Sequence, residues 1–177
     1  FGTDQVGRDL YIRTMSGIQI SLFVSLLATF VSIPIGVAWG SVAGYLGGRV
    51  DELMMRFVDV LYSLPFILIV ILLTVIFGSN LYLLFGALGA IYWLDMARIV
   101  RGQTIKLKNA PFILAAEAQG ASTRDILLRH VIPNVTSPVI IYGTITVPAI
   151  ILAESFISFL GLGIQEPQTS LGVLISD

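Results

Sequence analysis

The sequence predicts an all-α protein, a polytopic bundle of transmembrane helices with four spans in the 177 residues of this chain. Hydrophobic residues make up 56% of the chain and charged residues 12%, about half the charged fraction of an ordinary soluble domain. Mean hydropathy is +0.92. Residues 14–48 and residues 60–94 contain no charged side chain. A soluble single domain is therefore excluded, and the start at Phe1 without a basic leader predicts an excerpt of a longer protein.

Charge-free stretches and turn signals predict the positions of the four spans. Residues 17–45 would form a helix of about 43 Å, more than the roughly 30 Å hydrocarbon layer requires. The turn-forming cluster Gly78-Ser79-Asn80 divides the second stretch into two spans. The predicted spans are 17–45, 56–77, 81–105 and 132–153, with an outer segment at 1–16, a cytoplasmic segment at 109–131 and an outer loop at 154–177.

The third span has a charged inner end. Asp95 and Arg98 lie three residues apart on one helical face, so we expect them to pair near the membrane surface. Prolines inside the spans, including Pro34 and Pro65, are expected to kink their helices because each removes a backbone donor.

The distribution of basic residues predicts the orientation. The net charge of −1 gives no global field that would attract nucleic acid. With four spans, eight of the ten basic residues fall on one side. They are Arg49, Arg56, Arg98, Arg101, Lys106, Lys108, Arg124 and Arg129. Because cytoplasmic loops carry an excess of Lys and Arg, this side is predicted to be cytoplasmic.

Small residues recur every fourth position in the first span, at Ser32, Gly36, Gly40 and Gly44. Such a series lines one helical face and lets another backbone approach closely, so it predicts a helix-packing face. The alternative is that membrane helices simply contain many glycines.

The cytoplasmic segment 109–131 has the signals of two short helices. Asn109 is a candidate N-cap, Pro111 is tolerated in a first turn, and Gly120 ends the alanine-rich helix. Ser122 and Asp125 form a capping-box pattern for a second helix, which Pro133 is expected to close. Its small side chains predict close docking of a partner, and the alternative is a helix pair lying flat on the membrane.

This segment resembles the cytoplasmic loop of permease subunits in ATP-binding cassette importers. That signature reads Glu-Ala-Ala, three residues, Gly, then nine residues to Ile-x-Leu-Pro, and Ala115-Ala116, Gly120 and Pro133 match it. Leu114 stands where the signature has Glu, and His130 stands where it has Ile.

Three further motifs are similar to the second permease of the dipeptide, oligopeptide and nickel importers. They are residues 2–9, Trp93 with 97–102, and Glu154 with 158–163. The resemblance implies one further span before this chain and one after it, six in the full subunit.

The resemblance implies a mechanism of transport. The alanine-rich helix would be a coupling helix that docks on one of two cytoplasmic ATPase subunits, which bind ATP and Mg. A second permease subunit and an extracytoplasmic substrate-binding protein would complete the importer in a prokaryotic inner membrane. This chain itself would hold no cofactor. The coupling residues implied are Ala115, Ala116, Glu117, Ala118, Gly120, Arg124 and Asp125.

Two other functions are alternatives to this one. The sequence argues against a membrane enzyme, because it has no His-Glu-x-x-His and no phosphate-binding loop. Its one histidine, His130, has no second ligand at helical spacing, so it is predicted to be an interfacial or capping residue and not a metal ligand. A secondary transporter or channel would need ionisable residues in its pathway. Asp59 and Glu154 are the pathway candidates, against the alternative that both are solvated at helix ends.

Overall fold

The structure is a computed structural model that describes residues 2–3, 7–77, 81–163 and 169–176. Regular structure in these residues is helical, apart from an isolated bridge between Thr3 and Asp9, so the predicted all-α class is confirmed. The helices are α1 (Leu10–Leu46), α2 (Gly48–Ser63), α3 (Phe66–Phe77), α4 (Leu81–Lys108), α5 (Pro111–Ala118), α6 (Thr123–Ile126), a π-helical turn (Leu127–Val131), α7 (Ile132–Phe159) and α8 (Leu171–Ser176).

Two continuous helical segments in the described residues are long and apolar enough to cross a membrane. They are α1 and Thr123–Phe159, each of 37 residues, with mean hydropathies of 2.2 and 1.8 in their apolar windows. Only 39% and 28% of these windows are buried, whereas a soluble core helix would be mostly enclosed. Most of this apolar surface is therefore not covered by the described residues.

The second predicted span, 56–77, is not a single helix. α2 begins at Gly48 and ends at Ser63, and α3 begins only at Phe66. Pro65 has no N–H and forces Leu64 into an extended conformation, with φ −76° and ψ 129°. The kink expected at Pro65 is thus a complete break. The 12 residues of α3 rise about 18 Å, less than a crossing requires.

The helices extend beyond the other predicted spans. α1 begins at Leu10, within the predicted outer segment, because the Asp9 carboxylate accepts a hydrogen bond from the Tyr11 N–H at 2.8 Å and caps the helix. α4 continues to Lys108, and α7 passes Glu154 and ends at Phe159. The turn predicted at 78–80 lies outside the described residues.

The small-residue face of α1 lies against α4. A Cβ added to Gly36 would lie 2.5 Å from the Met96 Cβ, and one added to Gly44 would lie 2.8 Å from the Arg101 carbonyl oxygen. At Gly40 it would overlap the Ala97 carbonyl oxygen, and Ser32 is buried. The two backbones therefore touch, which only side chains of this size permit.

The expected helix end at Pro133 is wrong. The Ile132 N–H donates to the Leu127 carbonyl, five residues back, in a π-helical turn that joins α6 to α7 without a break. In a regular α-helix the Pro133 ring would crowd the Arg129 carbonyl and leave it without a donor. The wider turn carries the helix through this proline.

The chain divides into two compact units. The first contains Phe1–Phe30, Pro65–Gly89 and Thr146–Asp177, and the second contains Val31–Leu64 and Ala90–Ile145. The first unit holds a buried polar cluster around Glu154. The second holds the predicted coupling segment and an apolar core that includes Ile113 and Val131.

Candidate functional site

The N-cap of α5 lies one residue after the predicted cap. The N-cap is Ala110, extended at φ −71° and ψ 143°, and no side chain caps this end, so the assignment of Asn109 was wrong. Pro111 occupies the first helical turn and disfavours a helical conformation at the residue before it. The Ala110 N–H bonds to the Leu107 carbonyl at 2.8 Å, which sets α5 directly after α4.

Gly120 ends α5, as the sequence predicts. Its φ is +79°, a conformation that side chains other than glycine adopt at a cost. The Gly120 N–H bonds to the Glu117 carbonyl at 2.9 Å and the Ala121 N–H to the Ala116 carbonyl at 3.0 Å. These two bonds form a Schellman motif, which satisfies carbonyls that the helix end would otherwise leave unpaired.

One face of α5 packs inward and the other is open. Ile113 is fully buried in the apolar core of the second unit, and Ala116 packs partly against that core. The remaining predicted coupling residues of this helix are exposed: Ala115, Glu117, Ala118 and Gly120. Alongside these mostly small side chains, the larger apolar side chains of Phe112 and Leu114 are also exposed on α5, so another surface can meet both apolar side chains and closely accessible backbone.

An open groove of about 400 Å³ lies beside this face. Its lining is mostly small or aromatic: Phe112, Ala115, Ala116, Gln119, Gly120, Ala121 and His130. The rings of Phe112 and His130 lie 6.4 Å apart in a tilted arrangement. His130 thus forms part of the wall of the groove, a role that the sequence alone did not indicate.

Half of the predicted capping box is present at the start of α6, because Ser122 is the N-cap and its hydroxyl caps the helix. The Ser122 hydroxyl accepts from the Asp125 N–H at 3.1 Å and donates to the Asp125 carboxylate at 2.6 Å. This hydroxyl, with the nearby Arg129 and Arg124 guanidinium groups, holds the pKa of Asp125 below its usual range. Arg124 is exposed and Asp125 is partly exposed, so the two predicted coupling residues in α6 lie at or near the surface.

A contact that the sequence did not predict joins α5 to α1. The Tyr45 hydroxyl donates to Glu117 Oε1 at 2.7 Å, across 72 residues of chain. The Lys108 ammonium lies 5.7 Å from the centroid of the Tyr45 ring. No local signal could have indicated this pair, because neither residue is unusual in its own helix.

Ion pairs hold α2 against α4 in the second unit. The Arg101 guanidinium donates to both carboxylate oxygens of Asp51, at 2.5 and 2.6 Å, and Arg98 pairs with Asp59 at 2.7 Å. The predicted partner of Arg98 was Asp95, and that assignment is wrong because α2 brings Asp59 within reach. The side chain of Asp59 is 65% exposed.

Glu154, the other pathway candidate, is fully buried in the first unit. Its carboxylate accepts hydrogen bonds from the Ser21 hydroxyl at 2.8 Å and the Ser158 hydroxyl at 2.7 Å. Solvation at a helix end is therefore wrong for this residue, because α7 continues past it. Helical spacing could have indicated the contact with Ser158, which lies four residues after Glu154. It could not have indicated the contact with Ser21, which lies 133 residues away in the sequence.

The two long apolar helices are typical of a helical membrane protein, and α5 has an exposed face. Residues 36–177 match the family described as "Binding-protein-dependent transport system inner membrane component", and the chain belongs to this family. It is therefore a multi-pass protein of a prokaryotic inner membrane, and the resemblance to importer permeases is confirmed at family level.

Curated relatives are similar over the whole chain. The oligopeptide transport system permease protein OppC of Haemophilus influenzae is 54% identical over 177 residues, 100% of this chain and 57% of the relative. The dipeptide transport system permease protein DppC of Bacillus subtilis is 50% identical over 100% of this chain and 55% of its own length. The oligopeptide transport system permease protein OppC of Escherichia coli is 53% identical over 100% of this chain and 59% of its own length. The chain thus spans little more than half the length of these relatives.

Proposed function

We propose that this chain is part of the transmembrane permease subunit of an ATP-driven importer and that the substrates are peptides. The family membership supports the general class. The three relatives named as oligopeptide or dipeptide permeases support the substrate class. The resemblance also includes nickel importers, so Ni²⁺ uptake is the competing substrate hypothesis.

The observation that carries the proposal is the exposed face of α5. A short helix that exposes small alanines beside Phe112 and Leu114, held by an apolar core beneath it and ended by a Schellman motif, presents a rigid surface to a partner. We propose that one of two cytoplasmic ATPase subunits docks on it. ATP and Mg would bind to those subunits, with a second permease and a substrate-binding protein completing the complex.

A secondary transporter or channel is the alternative, and the burial of Glu154 in a helix favours it more than any other observation. The two functions differ in their energy source. An importer of the proposed class takes up peptide only with ATP and its ATPase subunits. A secondary transporter would respond to an ion gradient in their absence.

A bulky side chain on the exposed face of α5 tests the docking site. We expect Ala115→Trp in the complete complex to reduce ATP-driven peptide uptake at least about tenfold, because the indole holds the two surfaces apart. Gly120→Trp should do the same, but it also strains a position with φ +79°. The measurement is uptake of labelled peptide into proteoliposomes, together with the rate of ATP hydrolysis. Uptake of Ni²⁺ is measured in parallel to test the competing substrate.

Two control variants separate docking from folding. Gly120→Asn retains the left-handed turn, since asparagine tolerates this conformation, and should keep the chain folded. Glu52→Trp places the same indole on α2, at a side chain that is 68% exposed, and should leave uptake unchanged. Normal uptake by Ala115→Trp would contradict docking at α5, and uptake without ATP would contradict the importer class.

A further inference from the structure

The contact between Tyr45 and Glu117 joins the proposed docking helix to the first long helix. Tyr45 lies in the last turn of α1 and is 8% exposed, and its ring belongs to the apolar core of the second unit. Its hydroxyl meets a carboxylate oxygen at 2.7 Å. A hydrogen bond to a charged acceptor is short and directional, so the bond fixes the distance between the two helices.

Both ends of this bond are attached to rigid structure. Gly40 and Gly44 press α1 against the backbone of α4 just before Tyr45. On the other side, the Glu117 carbonyl accepts the Gly120 N–H of the Schellman motif, which holds the end of α5. A displacement of α5 must therefore move the end of α1 or break this bond.

The contacts of α5 with the apolar core, made by Ile113 and partly by Ala116, are of a different kind. Ile113 packs against the same apolar cluster as Tyr45, and such packing has no preferred direction. Apolar packing holds the helix on the core but permits sliding. The hydroxyl–carboxylate bond is the directional contact that we identify between α5 and α1.

We propose that Tyr45 and Glu117 are a positioning pair that transmits movement of α5 to α1. This inference rests on the proposed function, in which an ATPase subunit moves α5. The pair contacts neither ATP nor peptide. Its loss should therefore change how much peptide is carried for each ATP hydrolysed, while the ATPase subunits still assemble with the permease.

The test is a double-mutant cycle in the complete complex in proteoliposomes. Tyr45→Phe removes only the hydroxyl, and Glu117→Ala removes the acceptor. Each should lower the ratio of peptide transported to ATP hydrolysed about tenfold, the range expected for one hydrogen bond to a charged group. The double variant should be no worse than either single variant, because both remove the same bond.

Two further variants make the result specific. Glu117→Gln keeps an oxygen that accepts from Tyr45 and should recover most of the ratio lost in Glu117→Ala. Tyr62→Phe removes a hydroxyl from an exposed tyrosine on α2 and should not change the ratio.

Three results would overturn the inference: an unchanged ratio in Tyr45→Phe, losses that multiply in the double variant, or a loss in Glu117→Ala alone. The last would mean that Glu117 acts through the ATPase and not through Tyr45. Failure of the wild-type complex to assemble, or uptake without ATP, would instead contradict the proposed function.

Discussion

Glu154 in the first unit and Asp51 in the second are carboxylates in different surroundings. Glu154 is fully buried and its hydrogen-bond donors are the neutral hydroxyls of Ser21 and Ser158. The side chain of Asp51 is 13% exposed, and it faces the guanidinium of Arg101, which is 35% exposed. One carboxylate is thus enclosed among hydroxyls, and the other is in a partly open ion pair.

The difference indicates which polar contacts water can replace. A buried carboxyl group that loses a hydrogen-bond partner has no solvent to take its place, so the free energy of unfolding falls by the full cost of the missing bond. A partly open ion pair is screened, and water solvates either partner when the other is removed. We therefore expect stability to depend strongly on the hydroxyls around Glu154 and weakly on the ion pairs of α2.

Removal of both hydroxyls around Glu154 is expected to have the largest effect. The double substitution Ser21→Ala and Ser158→Ala leaves the carboxylate buried without its two donors. It should lower the free energy of unfolding by about 3 to 5 kcal/mol, because each missing hydroxyl leaves a buried polar group without a hydrogen-bond partner. Denaturant unfolding of the purified protein in detergent micelles measures this loss.

Ser25→Ala is the matched control in the same helix. Ser25 is also buried, but its hydroxyl donates to the Leu22 carbonyl of α1 and not to a buried carboxyl group. Its removal should cost about 1 kcal/mol or less. If the double variant were no less stable than Ser25→Ala, the enclosure of Glu154 would not make its donors critical.

The second unit is expected to be more sensitive at Gly40 than at its ion pairs. In Gly40→Ala the new methyl group meets the Ala97 carbonyl, which belongs to the backbone and cannot rotate away. The expected loss of unfolding free energy is about 1 to 3 kcal/mol, typical of overpacking. The same unfolding measurement tests it.

Gly102→Ala is the control for Gly40→Ala, because nothing lies within 4 Å of a Cβ added there. This substitution in α4 should be neutral or should stabilise by up to about 1 kcal/mol through helix propensity. Equal losses in both variants would mean that helix contact does not limit the residue size at Gly40.

Local signals in the sequence predicted much of the coupling segment. Gly120 and the Ser122–Asp125 pair act within a few residues of themselves, and the structure has both features. The small-residue face of α1 was predicted from its spacing as well, although its partner α4 was not. Such features depend on side-chain size and spacing along one helix, which a sequence displays directly.

Contacts between distant residues were not predictable in this way. Arg98 was assigned to Asp95 on its own helix, yet Asp59 is its partner across 39 residues. The predicted solvation of Glu154 at a helix end was also wrong, because the distant residue Ser21 in α1 donates a hydrogen bond to its side chain. In each case the partner lies on another helix, and tertiary packing brings the two residues together.

The smallest effect is expected when the ion pair of Asp51 is removed. Asp51→Asn keeps the size of the side chain and one acceptor for Arg101 but removes the charge. It should lower the free energy of unfolding by about 1 kcal/mol, near the upper limit for exposed ion pairs, because this partly open contact is bidentate.

Glu52→Gln is the comparison variant and should cost about 0.5 kcal/mol or less. Glu52 pairs with Arg56 at 3.4 Å, and these side chains are 68% and 72% exposed. Added salt should reduce both losses in unfolding experiments, since screening already weakens the pairs. A loss in Asp51→Asn as large as that of the two serines, and insensitive to salt, would contradict the comparison, because it would mean that water is excluded from Asp51 as completely as from Glu154.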